Sequence, residues 1–161
     1  MPPPPPYGRL RALGHHLVEI HLWLREELDR IRDSLDGDGP GVRPRELRAH
    51  CLAFCASLTR HHTGEDTGAF RVLAAQVPEL RPVLRELEAD HRLVEAALRR
   101  VEDLLGSRHP VEEVRNELDT LAALLETHFL YEEKKLTAAL NALEDGRTEE
   151  LLGVPLPPED R

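Results

Sequence analysis

Two pairs of histidine and glutamate, each four residues apart, continue runs of apolar residues in this sequence. The pairs are His61 with Glu65 and His128 with Glu132. Residues four apart lie on the same face of a helix. The apolar residues that precede the pairs at helical spacing are Leu47, Cys51, Phe54 and Leu58, and Leu118, Leu121 and Leu125. Imidazoles and carboxylates at positions that should hold leucine predict a metal site inside a helical bundle.

Two further histidines, His21 and His91, lie within apolar patterns of the same kind. A single histidine in such a pattern is usually a hydrogen-bonded core residue, but four of them with two glutamates favour metal binding. An unpaired buried carboxylate is costly or takes up a proton, and no Lys or Arg shares these apolar faces. The predicted metal ligands are therefore His21, His61, Glu65, His91, His128 and Glu132.

The predicted ligand set indicates the kind of metal. Imidazole with carboxylate suits iron, and manganese or zinc is less favoured. Six ligands exceed a tetrahedral zinc site and fit two metal ions that share carboxylates, an arrangement known in bundle cores. Cys51 and Cys55 are interpreted as reduced core residues, because a thiolate metal pair would need a second pair to complete it.

The other five of the nine histidines are assigned by their position relative to the apolar faces. His15 and His16 point well away from His21 and are predicted to be on the surface. His50 lies beside an apolar face and His109 in a loop. His62 flanks an apolar face and could lie on either side.

Four long helices would position the predicted ligands. We expect them at about 7–35, from Pro44 to about Glu65, from about Leu84 to Gly106, and from Pro110 to before Gly146. The second helix could continue to Ala75, with a break near Gly64 and Gly68. Short connections favour an up-down-up-down antiparallel four-helix bundle. A rise of about 1.5 Å per residue then places the four histidines in one layer.

Length and composition fit an all-α fold with one domain, 1–161. Charged residues make up 32% and aromatic residues 4% of the chain, a balance typical of helices with solvated faces. The bundle spans about 7–146, after a proline-rich N-terminal leader at 2–6 and before an irregular C-terminal tail from Gly153. A net charge of −9 argues against nucleic acid as a partner. No apolar run is long enough for a membrane span, and no signal sequence is seen, so a cytoplasmic location is expected.

The order of these motifs resembles the hemerythrin-like family, also called HHE cation-binding domains, over about 10–143. One His followed by His-x-x-x-Glu occurs twice, as His21 with His61 and Glu65, then as His91 with His128 and Glu132. The sequences around these residues are similar to those of a bacterial, actinobacterial-type branch. The resemblance implies a non-haem di-iron centre, oxo- or hydroxo-bridged, that meets dioxygen, peroxide or nitric oxide.

The chain departs from the oxygen carriers of that family at three positions. Leu87 and Glu95 stand where a second histidine of the third helix would be, and Glu133 stands where an aspartate follows the last histidine. Either Glu132 or Glu133 could therefore bridge the ions. The departures favour peroxide chemistry over reversible oxygen carriage. Tyr131, three residues from His128, is a further candidate to approach the metal or a bound oxygen species.

Three functions are compatible with this reading. The first is binding or reduction of a small oxygen species, with catalase-like peroxide removal preferred. The second is iron or oxygen sensing, or metal storage, without catalysis. The third is a structural bundle whose histidines bind adventitious zinc. Hydrolysis is disfavoured because the sequence has neither a Ser-His-Asp arrangement nor a glycine loop for phosphate.

Overall fold

The computed structural model describes residues 13–36, 44–106, 110–143 and 147–157, and these are almost entirely helical. No strand occurs within these ranges. The four long helices are α1 (Leu13–Asp36), α2 (Pro44–Gly64), α4 (Arg81–Gly106) and α5 (Val111–Asn141). The shorter elements are a π-helical segment (Glu65–Ala69), α3 (Phe70–Gln76), a 3-10 turn (Pro78–Leu80) and α6 (Thr148–Leu152).

The second predicted helix does continue to Ala75, but without the expected break near Gly64 and Gly68. Instead α2 passes directly into the π-helical segment and then into α3. The backbone N–H of Phe70 donates to the carbonyl of Glu65, which closes the wider π turn. Such segments occur often at functional sites, and this one begins at the predicted ligand Glu65.

The apolar patterns of the sequence form one buried core. Residues of every long helix contribute, including Leu24, Ile31, Phe54, Val101 and Leu118, all almost fully buried. Cys51 and Cys55 belong to the same core and are free thiols. Burial raises the pKa of the Cys51 thiol to about 11 and that of Cys55 to about 12. Both are therefore protonated at neutral pH, which fits a core role rather than a thiolate metal pair.

Polar contacts between helices pair early residues of one helix with late residues of its neighbour. Between α1 and α5 they are Gly14 with Asn141 (2.8 Å), Arg25 with Glu126 (2.9 Å) and Arg32 with Asp119 (2.9 Å). Between α4 and α5 they are Glu86 with Tyr131 (2.7 Å), Asp90 with His128 (3.1 Å) and Arg100 with Glu117 (2.6 Å). These contacts hold the helices in register along the bundle.

The short helix α6 lies beyond the predicted bundle and packs back onto it. A Cβ atom at Gly64 would clash with the Cα of Gly153, so the two backbones touch. Gly153 has φ +83°, a conformation that favours glycine. The prediction that His16 is on the surface is wrong, because α6 covers it and its Nδ1 lies 2.8 Å from the Thr148 hydroxyl.

Some predictions concern residues outside the described part of the chain. They are the leader at 2–6, the start of the first helix at 7–12, the Gly-rich loop around 37–41, His109, Gly146 and the last four residues of the tail. His15 is exposed as predicted, and His50 is half-buried beside Glu27. None of the described helices has the length and apolar character needed to cross a membrane.

Candidate metal centre

The six predicted ligands meet in the core, together with His62. They form two groups of four that share Glu65, and within each group the potential ligand atoms lie within 4.8 Å of one another. One group is His62, Glu65, His91 and His128, and the other is His21, His61, Glu65 and Glu132. All seven side chains are buried. The four histidines that the sequence predicts in one layer, His21, His61, His91 and His128, lie close together here with Glu65 and Glu132.

Each long helix supplies part of the layer. His21 comes from α1, His61 from α2 and His91 from α4, and α5 provides both His128 and Glu132. Glu65 is the first residue of the π-helical segment. The Nε2 atoms of His21 and His61 are 3.2 Å apart, so two helices bring their imidazoles directly together.

Hydrogen bonds on the outer side orient three of the imidazoles. The Nδ1–H of His21 donates to Glu133 (2.6 Å) and that of His91 to Asp66 (2.8 Å). The Nδ1–H of His128 donates to Asp90 (3.1 Å). A carboxylate only accepts, so each bond places a ring proton on Nδ1 and turns Nε2 toward the core.

The fourth imidazole, His61, is oriented by a backbone group instead. Its Nδ1–H donates to the carbonyl of Leu152 at 2.7 Å. Leu152 is the last residue of α6, so the C-terminal segment holds one of the four histidines. This partner was not predicted from the sequence, because a main-chain carbonyl leaves no side-chain signal.

The inner atoms of the layer have few partners among the described residues. Neither carboxylate oxygen of Glu65 or Glu132 makes a hydrogen bond of acceptable geometry, although Glu132 Oε1 lies 3.0 Å from His21 Nε2. The Nε2 atoms of His62, His91 and His128 also have no hydrogen-bond partner. Buried polar atoms are rarely left unpaired. A metal-binding histidine typically donates one ring N–H to an outer hydrogen-bond partner and directs its other ring nitrogen at the metal ion. The donor set therefore fits a metal centre.

Burial keeps most of these imidazoles neutral. It lowers the pKa of His61 to about 3 and that of His62 to well below the usual value. The pKa of His128 is also lowered, again mainly by burial. Neutral imidazole is the state that donates a lone pair to a metal ion.

The pKa values of Glu65, Glu132 and His21 are shifted in different directions by burial and by one another. Burial and the nearby Glu132 raise the pKa of Glu65 well above its usual value. Burial alone would raise the pKa of Glu132 too, but the His21 imidazole, whose Nε2 lies 3.0 Å from Glu132 Oε1, holds that pKa low. For His21, the two carboxylates of Glu132 and Glu133 outweigh burial and raise the pKa. Two carboxylates this close repel each other, and either a shared proton or a bound cation relieves that repulsion.

Three residues that the sequence left open have definite positions. His62 faces the layer. Glu133 lies on the outer side of His21, where Arg25 also approaches it at 3.5 Å, and Glu132 takes the inner side. The Tyr131 hydroxyl donates to Glu86 at 2.7 Å near the surface and belongs to neither group.

A narrow cleft between α2 and α4 leads to the layer. Its volume is about 100 Å³, and its walls include Thr59, Thr63, His62, His91 and Glu95. Glu95 is one of the two positions at which oxygen carriers were expected to hold a second histidine, and here it lines the cleft. Phe129 stacks on His21 with ring centres 3.9 Å apart and covers that imidazole. The cleft of about 100 Å³ beside His62 has room only for a small molecule.

Comparison with known proteins identifies one family. The sequence model of the family described as hemerythrin HHE cation binding domain matches residues 13–140. This range includes all seven residues of the layer and ends before α6. Searches of the curated proteins and of the solved structures gave no significant match.

Proposed function

This chain belongs to the hemerythrin HHE cation-binding domain family, and on that premise we propose that it binds two iron ions and binds or reduces a small oxygen species. Dioxygen, hydrogen peroxide and nitric oxide are all small enough for the cleft of about 100 Å³ beside His62. Catalase-like removal of peroxide is the preferred activity. The assignment to an actinobacterial-type branch stays a prediction.

One observation carries the proposal: buried Nε2 and carboxylate atoms lie close together and have no hydrogen-bond partners within the described part of the chain. His21, His61 and Glu132 would hold one ion, and His91 with His128 the other, while Glu65 is close enough to serve both. The mixture of imidazole and carboxylate favours iron over softer ions, with manganese or zinc as less favoured occupants.

The surrounding residues would control the chemistry. Iron held there would supply reversible two-electron redox chemistry. One peroxide would be reduced to two waters, and a second would be oxidised to dioxygen and return the two electrons and two protons, so no outside reductant is needed. Glu133, Asp66 and Asp90 hold the Nδ1 protons and so keep the Nε2 atoms directed inward. Phe129 and Phe70, which stack on His21 and His91, keep bulk water from the layer.

A second candidate function is sensing of iron or oxygen without catalysis. It is favoured by the hydrogen bond from His61 to the Leu152 carbonyl, which ties a candidate ligand to the C-terminal helix α6. Binding of an ion at His61 would stabilise this bond, so metal loading would protect α6. Limited proteolysis with and without iron separates the functions: a sensor shows metal-dependent cleavage near α6 and little release of oxygen from peroxide.

We also propose that the four long helices run up-down-up-down. The pairing of Arg32 with Asp119 and of Gly14 with Asn141 supports antiparallel α1 and α5. The pairing of His50 with Glu27 supports the same relation for α1 and α2, because an early residue of α2 meets a late one of α1. Such a bundle gives each helix one face toward the layer.

The direct test of the catalytic proposal is oxygen release from hydrogen peroxide by iron-loaded protein. We expect release by the wild-type protein and a loss of at least about tenfold in His61→Ala, since changing even a residue that only hydrogen-bonds a ligand costs metal sites about 10–100-fold. His15→Ala is the control, because His15 is exposed and bonded only to Glu19 on its own helix. Full release by His61→Ala would contradict the assignment of the site.

A further inference from the structure

His62 occupies the buried layer although it lies outside the repeated pattern of His and His-x-x-x-Glu. Its side chain is 5% exposed, and its Nε2 has no hydrogen-bond partner among the described residues. The ring stacks on His91 with centres 3.9 Å apart and planes 11° apart. It also meets His128 edge to face, with ring centres 5.2 Å apart. The position is therefore defined by two candidate ligands.

A buried histidine without a metal role would be expected to hydrogen-bond at least one ring nitrogen to the protein. His16 illustrates that situation, since it is equally buried but has a ring nitrogen 2.8 Å from the Thr148 hydroxyl. His62 instead places a ring nitrogen within 4.8 Å of the ligand atoms of Glu65, His91 and His128, and its buried Nε2 is unpaired among the described residues. An unpaired buried nitrogen directed into a set of metal-binding atoms indicates a ligand.

His62 completes only one of the two groups. The group with His21 and His61 has two imidazoles and two carboxylates. The other has only His91, His128 and the shared Glu65 unless His62 is included. With His62 it reaches four protein ligands, three of them imidazoles.

We propose that His62 is a seventh metal ligand, through Nε2, and that it completes a pocket of three imidazoles and one carboxylate for one of the two ions. This inference rests on the proposed metal centre. Nitrogen-rich sets suit Fe²⁺, Co²⁺ and Zn²⁺, whereas carboxylate-rich sets suit Mn²⁺ and Mg²⁺. The two pockets are therefore unequal, and the ion beside the cleft depends on His62.

The test compares Co²⁺ binding to the metal-free full-length wild-type protein, His62→Ala and His16→Ala. Co²⁺ is a spectroscopic probe, and titration followed by its visible absorption gives both stoichiometry and affinity. We expect two ions per wild-type chain and a loss of at least about tenfold in the affinity for one of them in His62→Ala. His16→Ala removes an equally buried imidazole and should change neither affinity by more than about threefold.

A second measurement keeps the inference testable if His62→Ala folds poorly. In zinc-loaded protein with ¹⁵N-labelled histidine, the Nε2 resonance of His62 should move to the range of metal-bound nitrogen. The resonance is assigned by its absence in His62→Asn, which keeps a polar side chain of smaller volume. A Nε2 resonance that does not respond to zinc would overturn the inference.

The outcomes distinguish the inference from the proposed function. Two ions bound with unchanged affinities in His62→Ala would overturn the role of His62 and leave the metal centre intact. No binding to the wild-type protein would remove both. If the wild-type chain binds a single ion, weakening by His62→Ala supports the inference, and weakening by Glu132→Gln alone contradicts it.

Discussion

Two levels of the bundle core are lined by different kinds of side chain. At the apolar end, the contacts of Arg32 with Asp119 and of Arg100 with Glu117 bring α1, α4 and α5 together around leucine, isoleucine and valine. At the polar level, the same helices present imidazoles and carboxylates, with Phe129 packed against them. Both levels are buried to the same degree. Burial alone therefore does not determine what fills this core.

The difference shows that the apolar end stabilises the fold and that the polar level would perform the chemistry. Apolar burial contributes about 25 cal/mol for each Å² removed from water, so the apolar end is stable without a ligand. The polar level instead carries desolvation costs that only a bound cation would offset. We therefore expect a substitution at the apolar end to change mainly the free energy of unfolding, and a substitution at the polar level to change mainly metal affinity.

The largest effect is expected from Glu65→Gln. Glu65 is shared by both groups, so its loss should lower the affinity for both ions by at least about 100-fold, the upper range for changes around metal sites. The metal-free variant should fold, because glutamine keeps the shape of the side chain. Titration with Co²⁺ measures the loss. Glu126→Gln, an exposed partner of Arg25, is the control, and two tightly bound ions in Glu65→Gln would contradict the shared role.

At the apolar end, Leu118→Ala should lower the stability of the fold and leave metal affinity nearly unchanged. Leu118 is 1% exposed, and its replacement should lower the free energy of unfolding by about 2–5 kcal/mol. It lies ten residues before His128 on α5, or about 15 Å along the helix, so metal affinity should stay within about threefold. Chemical denaturation of metal-free and metal-loaded protein should give the same loss. A large fall in metal affinity would show that the two ends are coupled.

The close packing of Gly64 against Gly153, which holds α6 beside His61, can be tested with Gly64→Ala. The added methyl group would displace Gly153 and with it the Leu152 carbonyl that orients His61. We expect a loss of about 1–3 kcal/mol in unfolding free energy and about 10–100-fold weaker binding of the ion at His61.

Gly106→Ala is the matched control for this change. Gly106 also ends a long helix, but a Cβ atom there would meet nothing within 4 Å. The same substitution should therefore leave both stability and metal binding nearly unchanged. If Gly64→Ala behaves like Gly106→Ala, α6 does not position His61.

The smallest effect is expected from Tyr131→Phe. Its hydroxyl contacts Glu86 near the surface rather than the layer. The loss should lie within about 0.5 kcal/mol, as for most surface substitutions, and the visible absorption of the iron-loaded protein should not change. Disappearance of a charge-transfer band would instead place the phenolate on iron and restore the role suggested by the sequence.

Much of the fold and the site followed from the spacing of residues. His61 with Glu65 and His128 with Glu132 stand four apart, and helix geometry alone brings each pair to one face. His21 and His91 are recognisable because each replaces an apolar residue in a regular pattern. Leucine repeats likewise identified the four long helices, since their periodicity is the signal of a buried helix face.

The features that were missed depend on contacts between distant parts of the chain. His16 was assigned to the surface because its helix face points away from His21, and only α6 makes that face buried. The burial of His62 follows from its stacking on His91 of another helix. The carbonyl of Leu152 is a backbone group, so the type of residue at this position does not reveal its role. Spacing within one helix cannot report such contacts.

The most direct test of the account is the metal content of protein purified after growth in iron-sufficient medium, together with its optical spectrum. The account predicts close to two iron ions per chain and visible absorption that disappears when the iron is removed. One zinc ion per chain, or no tightly bound metal, would contradict the claim that the polar layer is a di-iron centre.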